Sequence, residues 1–209
     1  MTTPRFVLHH APRSRSGRIL WLLEEAGAAY EIAWHDLERA THKRPDYLAV
    51  NPFGKVPALT DRGPAGDWQG VIVTESAAIS AYVADALGVL APAIGTPLRG
   101  AYASWMAHVP AVLEPAFADM VFPRASAAPA RAIGWPDVPT AVARIEAALT
   151  DGPYLLGDLF SAADIMVGGM LQWLTGWGKL TPGPHTARYL AALEARPALA
   201  RARAKDTAP

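Results

Sequence analysis

Apolar and polar residues along this chain follow two different rhythms, one in its first half and another in its second. Arg5–His9 is a short run of β type, and Tyr30–Trp34 alternates as a half-buried strand does. Between them Ile19, Leu22, Leu23 and Ala26 fall at helical spacing, which predicts a helix over Arg15–Ala26 ended by Gly27. His42–Val50 reads as a short irregular helix. Pro57–Thr60 and Val71–Val73 read as third and fourth strands, and Glu75–Leu87 as a helix. The order βαβαββα predicts a four-stranded mixed sheet with helices packed on it.

After Leu87 the strand signals stop. Gly88–Pro97, with two prolines and two glycines, reads as a linker. Leu98, Ala101, Tyr102, Trp105, Met106 and Val109 then form one helical stripe, which Pro110 and Pro115 should kink or interrupt. Pro123–Pro139 reads as a long connection and Val142–Leu149 as a helix. Ser161 with Asp164 forms a capping-box variant opening a helix to about Trp173, with Phe160 and Ile165 placed for a hydrophobic staple. His185–Arg196, stopped by Pro197, and a short final helix complete the pattern. The expected division is an α/β domain over 1–87, a linker over 88–97 and an all-α domain over 98–209.

With 51% hydrophobic and 18% charged residues, 209 residues are enough for a packed core. Nineteen basic and nineteen acidic residues cancel, so nothing draws the chain as a whole to nucleic acid or to an anionic membrane. The basic end, Arg201 to Lys205, reads as a solvated tail. Without cysteine there is no disulfide, thiolate metal site or cysteine nucleophile, which fits a reducing compartment. No metal-binding spacing, phosphate-binding glycine loop or nucleophile elbow occurs, so no metal is expected. Met1–Pro4 lacks the charged start of a signal peptide, and no apolar run nears the roughly 18 residues of a membrane span. A soluble cytoplasmic protein is the expectation. His9 and His10 are adjacent and point to opposite faces of a strand, one packed and one at the surface.

The stretch richest in information is Asn51-Pro-Phe-Gly-Lys-Val-Pro-Ala-Leu59. Pro52 keeps Asn51 out of a helix, Gly54 offers a turn, and Val56, preceding Pro57, is extended. Pro57 has no N–H to give to a ladder, so a ligand's backbone can pair with the N–H and C=O of Val56 instead. A cis Val56–Pro57 bond would turn that edge toward a cleft.

Together with Ser14–Glu25, His42–Leu48 and Thr74–Ile79, this stretch resembles the N-terminal domain of the cytosolic glutathione transferases. The resemblance is specific over about 85 residues and general over the rest. It implies a thioredoxin-like domain followed by a helical one, with glutathione as co-substrate and no separate cofactor. Val56 and Pro57 then present the peptide edge. Glu75 takes the ammonium of glutathione, and Ser76 with the helix N–H groups takes a carboxylate. Lys55, Lys43 and, less favourably, His42 are candidates for the glycine carboxylate. Ser14 resembles the catalytic hydroxyl of the serine-type members, with Arg15 assisting, and spacing favours it over Ser16. Tyrosine and cysteine, the family's other thiolate donors, do not occur in Arg5–Arg18. Tyr102, Trp105, Met106 and Val109, with Leu113, Phe117 and Trp177, are acceptor-pocket candidates that read equally well as core.

The activity implied is addition of glutathione thiolate to a small apolar electrophile, or peroxide reduction, by a bacterial homodimer active in detoxification. The homodimer rests on the Glu75–Leu87 helix, where Ile79, Tyr82, Val83 and Ala86 read as core and Ala77, Ala81 and Ala84 as a partner-facing flank. The alternatives are a glutathione-dependent disulfide reductase or dehalogenase, and a non-catalytic binding or scaffold protein on the same fold.

Overall fold

The computed structural model describes residues 3–126 and 129–207. The expected elements form within a residue or two of their predicted bounds through the first half, except that the helix expected from His42 starts at Pro45. They are β1 (Phe6–His10), α1 (Ser16–Glu25), β2 (Tyr30–Trp34), α2 (Pro45–Val50) after a 3-10 turn at Thr41–Lys43, β3 (Ala58–Asp61), β4 (Val71–Thr74) and α3 (Ser76–Leu87). The sheet is mixed, in the order β2-β1-β3-β4, with β1 parallel to β2 and antiparallel to β3, and β3 antiparallel to β4. Phe6, Leu8 and Leu59 are buried in the sheet, and Ile19, Leu22, Leu23, Ile79 and Val83 close the core from the helices.

Register fixes the end of the sheet that matters. His9 pairs with Ala58, and Ala58 with Thr74. The exit of β1, the entry to β3 and the exit of β4 therefore meet at one end. Because β2 runs parallel to β1, with His10 opposite Trp34, its exit joins them. Four separate segments, those around Ser14, Lys43, Val56 and Glu75, start from the same edge.

The helical region comprises α4 (Pro97–His108), α5 (Glu114–Val121), α6 (Val138–Ala148), α7 (Ala162–Gly176), α8 (Pro184–Glu194) and α9 (Pro197–Lys205). Pro110 and Pro115 do not break the chain between α4 and α5. Val109–Leu113 stays helical as a π-turn, in which the Glu114 N–H reaches back five residues to the Val109 carbonyl. The wider turn absorbs the amide hydrogen that Pro110 lacks. Helix α6 starts earlier than Val142, at Val138, because the Asp137 side chain caps it by accepting the Thr140 N–H at 2.9 Å. The long connection holds a 3-10 turn at Ala130–Ala132, while positions 127 and 128 within it lie outside the described residues.

The capping box at Ser161 forms as expected. Asp164 accepts from the N–H of Ser161 at 2.8 Å and of Leu155 at 2.9 Å, and from the Ser161 hydroxyl at 3.0 Å. Its burial outweighs these donors and pushes its carboxyl up to about 6. Gly168 lets α7 and α8 touch, since a β-carbon there would stand 2.2 Å from a methyl of Leu193.

The final helix departs from expectation. The chain forms two compact units, Ala91–Ala195 by itself, and the residues up to Leu90 joined by those from Arg196 onward. Where 98–209 was expected to stay together, α9 packs on α1. Arg201 and Lys205 are accordingly not a loose tail: both bind Glu24. Helix α3 also differs in detail. Ile79 and Val83 are buried as expected, but Ala84 is buried with them and Ala86 is exposed, because Ser80 and Ala84 continue the inward stripe. Among the described residues no helix is long and apolar enough to cross a membrane.

Candidate functional site

The entry to β3 is held from behind. The Lys55 carbonyl accepts from the Tyr47 hydroxyl at 2.6 Å and from the Asn51 side-chain amide at 2.8 Å. Asn51 is buried and its own side-chain oxygen takes the Phe53 N–H at 3.2 Å, so the loop is locked on both sides. Tyr47 is buried, and its hydroxyl is pushed up to about 12, which keeps it a neutral donor. The Val56–Pro57 bond is cis. Among the described residues nothing pairs with the Val56 N–H or C=O. Gly54 has φ +54°, and a β-carbon there would come within 2.7 Å of the His42 carbonyl and 2.8 Å of the Lys43 side chain, so only glycine lets this loop close on the 41–43 turn.

Lys43 gives one hydrogen bond to the Phe53 carbonyl at 2.8 Å and is otherwise exposed, as is Lys55. His42 lies half-buried beside them. Glu75, also exposed, occupies the N-cap of α3 with φ +70°, in the left-handed half of backbone space that non-glycine residues rarely occupy. Its carboxylate caps nothing and has no cation partner among the described residues. Ser76 follows as the first residue of α3, half-buried, so its N–H is one of the helix's unsatisfied donors.

Ser14 is half-buried and Ser16 wholly buried. The Ser14 hydroxyl lies 2.7 Å from the Ala11 carbonyl and 2.7 Å from the Ser16 hydroxyl, and accepts the Ser16 N–H at 3.2 Å. Ser16 Oγ accepts the Ala11 N–H at 3.1 Å and lies 2.7 Å from His10 Nδ1. On the other side of that ring, Nε2 lies 3.0 Å from an oxygen of Asp206, an ion-pair approach that lacks hydrogen-bond alignment. Arg15, exposed, is the N-cap residue of α1.

Neither adjacent histidine is a surface residue. His10 is fully buried, and His9 is half-buried against His35 at 3.1 Å, with Tyr47 completing the ring cluster. Burial, with His35 beside it, brings His9 down to about 4, so it stays neutral and packs.

Tyr102, Trp105, Met106 and Val109 are all buried in the core of the helical unit, as is Leu113. Trp105 packs edge-on to His108 and carries the Arg144 guanidinium over its ring at 4.7 Å. Two cavities on this unit are lined by other residues, one by Met120, Val142, Lys179 and Leu180, another by Asp119, Met120 and Trp135. Trp177 is 54% exposed and stacks on Phe117, with Trp173 behind.

Tyr47, Asn51, His10 and Asp206 all position this region, a role that sequence reasoning assigns to none of them. The first two had a signal, as polar residues flanking a proline loop. Asp206 had none, being 196 positions from its partner histidine.

Residues 5–85 match the family model "Glutathione S-transferase, N-terminal domain", and residues 124–203 match "Glutathione S-transferase, C-terminal domain". Glutathione S-transferase 3 of Zea mays is 33% identical over 201 residues, covering 87% of this chain and 85% of that protein. The structure of the ternary complex of BphK, a bacterial GST, superposes with a TM-score of 0.79 at 30% identity, covering 96% of this chain and 98% of that one. Over a shorter span, 82 residues or 39% of this chain and 38% of that protein, the disulfide-bond oxidoreductase YfcG of Escherichia coli is 34% identical. The chain belongs to the cytosolic glutathione S-transferase family and is a glutathione transferase, with glutathione as its co-substrate.

Proposed function

We propose that this protein is a serine-type glutathione transferase in which Ser14 donates to the sulfur of glutathione. The Val56 main chain and the Glu75 carboxylate, both without a partner among the described residues, carry this reading. A bound γ-glutamyl-cysteinyl-glycine pairs its cysteine backbone with Val56, held extended ahead of Pro57. Glu75 takes the ammonium. Ser76 and the α3 amides take the γ-glutamyl carboxylate, aided by the helix dipole. Lys55 and Lys43 take the glycine carboxylate. The sulfur is then at Ser14, the half-exposed member of the serine pair, with Arg15 adding positive potential.

A thiol is only a few per cent ionised at neutral pH, and one charge-assisted hydrogen bond of about 1.5–3 kcal/mol lowers its pKa by roughly one to two units. The thiolate attacks a small apolar electrophile or a peroxide, a detoxifying role for a cytoplasmic bacterial homodimer. Ala77 and Ala81 on α3 are the small residues left for a partner to approach. The likeness to YfcG, named a disulfide-bond oxidoreductase, favours disulfide reduction as the second reading, because the same thiolate opens a disulfide.

The test is an ultraviolet titration of bound glutathione, followed by assays on a nitroaryl chloride, a hydroperoxide and a mixed disulfide. Ser14→Ala should raise the thiol pKa by about one to two units and leave glutathione affinity nearly intact. An unmoved titration refutes the serine-type reading. The product panel separates transferase from reductase.

A further inference from the structure

At the head of α1 the hydrogen bonds of Ser14 continue inward through Ser16 to His10. Ser16 Oγ has one hydrogen and two lone pairs. One lone pair takes the Ala11 N–H. Asp206 faces His10 Nε2 and favours a proton there, which leaves Nδ1 as an acceptor 2.7 Å from Ser16 Oγ. Ser16 then donates to His10 at 2.7 Å in preference to the Ala11 carbonyl at 3.2 Å, and the single Ser14 hydrogen points inward, to Ser16 Oγ or to the Ala11 carbonyl, each at 2.7 Å. In that state Ser14 can turn its hydrogen toward a thiolate only by giving up an inward bond. Reversing the direction of the whole chain lets Ser14 donate outward while Ser16 keeps a hydrogen bond with it.

We propose that Ser16, His10 and Asp206 form a proton relay that takes up the proton of a thiol bound at Ser14 and, in doing so, turns Ser14 into the donor to the resulting thiolate. The proposal rests on the reading of Ser14 as the partner of the sulfur. The S–H bond breaks as Ser14 Oγ takes the proton, and the sulfur keeps the electron pair. Ser14 passes its own hydrogen to Ser16, and Ser16 passes its own to His10 Nδ1. Each oxygen gains one proton and loses one. The product is a thiolate and an imidazolium, the latter facing the Asp206 carboxylate. His10 now donates to Ser16, Ser16 to Ser14, and Ser14 to sulfur.

The surroundings of His10 suit this task. It is fully buried, so a proton placed on it does not exchange freely with water. The groups facing its ring are Ser16 from α1, the edge of Trp34 from β2 at 5.2 Å, and Asp206 from the segment after α9. Asp206 is itself fixed by the Arg13 N–H at 3.3 Å and lies over Gly17, in the first turn of α1. His10, Ser16 and Asp206 touch no substrate. They act through Ser14 and are positioning residues.

The decisive measurement uses the unaltered protein. Nitrogen-15 spectra of the His10 ring should change from the singly to the doubly protonated form when glutathione binds as thiolate, and should not change with S-methylglutathione. In a weakly buffered indicator solution, fewer protons should be released than thiolates formed. If the ultraviolet signal shows thiolate while His10 stays neutral and one proton is released per thiolate, the relay is refuted.

Variants separate this failure from that of the underlying reading. Asp206→Asn, at a partly exposed site, and Ser16→Ala should each raise the bound thiol pKa by about one unit with affinity unchanged. Combined with Ser14→Ala, neither should add to its effect. If Ser14→Ala moves the titration and these two do not, the relay falls and the Ser14 assignment stands. If Ser14→Ala does not move it, both fall.

Discussion

At the C-terminal end of α1, Glu24 and Glu25 occupy a position where the helix dipole disfavours carboxylates. The sequence from Arg196 onward reverses that. Arg196 grips Glu25 with two hydrogen bonds, at 2.6 and 2.8 Å, and the Trp21 indole adds a third at 2.9 Å. Arg201, Lys205 and the Tyr30 hydroxyl surround Glu24. At the N-terminal end the same segment supplies Asp206, which suits the dipole there but meets a histidine and two hydroxyls whose hydrogens have more than one place to go. One end is a saturated ionic clamp with a single arrangement. The other has two arrangements that differ only in where protons sit. The first kind of contact gives stability, the second can do work.

The difference can be broken by substitution. Glu24→Ala should have the largest effect, removing several charge-assisted hydrogen bonds. Allowing for the half-exposed Arg201 and Lys205, the cost is about 3 kcal/mol, or roughly 6–12 °C of Tm by calorimetry. The folded fraction should still bind glutathione normally by titration calorimetry. A weakened affinity would show that the clamp and the ligand site are not separable.

Glu75→Ala should do the reverse. Loss of a charged partner costs about 1.5–3 kcal/mol of binding, some 10- to 150-fold in Kd, with Tm unchanged. A fall in Tm at constant Kd would make Glu75 a folding residue.

Acid sharpens the contrast. Burial pushes the Glu24 carboxyl up, but hydrogen bonds from Lys205, Tyr30 and Arg201 outweigh it and hold it at about 2. A carboxyl held below its unfolded value stabilises the fold above that value, and the gain is lost as pH falls toward the folded one. Stability measured by urea unfolding should therefore decline from about pH 4.5 to 2. The decline should be shallower in Glu24→Gln.

Smallest of all, Lys55→Ala should weaken glutathione binding by less than about 1 kcal/mol, and added salt should erase the difference.

Much of the α/β unit was legible because local rules dictate it. Alternation gave the strands, the stripe Ile19–Leu22–Leu23 gave α1, and the proline and glycine grammar of Asn51–Leu59 gave the exposed edge at Val56. Ser161 and Asp164 announced their capping box for the same reason, being three residues apart. What escaped depended on distant partners or on competition between rules. Pro110 should interrupt a helix, yet the π-turn keeps it. Tyr102 and Trp105 lie on a stripe that suits a pocket or a core equally, and both are buried. Arg201 and Lys205 look like a solvated end until Glu24 is placed beneath them. Spacing favours Ser14 over Ser16, but their coupling through His10 to Asp206 has no local signature.

The return of α9 to α1 also imposes a schedule. Arg196 meets Glu25 across 171 positions, Lys205 meets Glu24 across 181, and Asp206 meets Arg13 across 193. At a synthesis rate of about 5–20 residues per second, α1 waits roughly 10–40 s on the ribosome for its last neighbour, while all of Ala91–Ala195 is made. Through that interval the surface later covered by Ala198, Leu199 and Ala202 stays open to solvent and to chaperones. The nascent chain therefore completes its helical insert before Asp206 can reach His10 and Arg13.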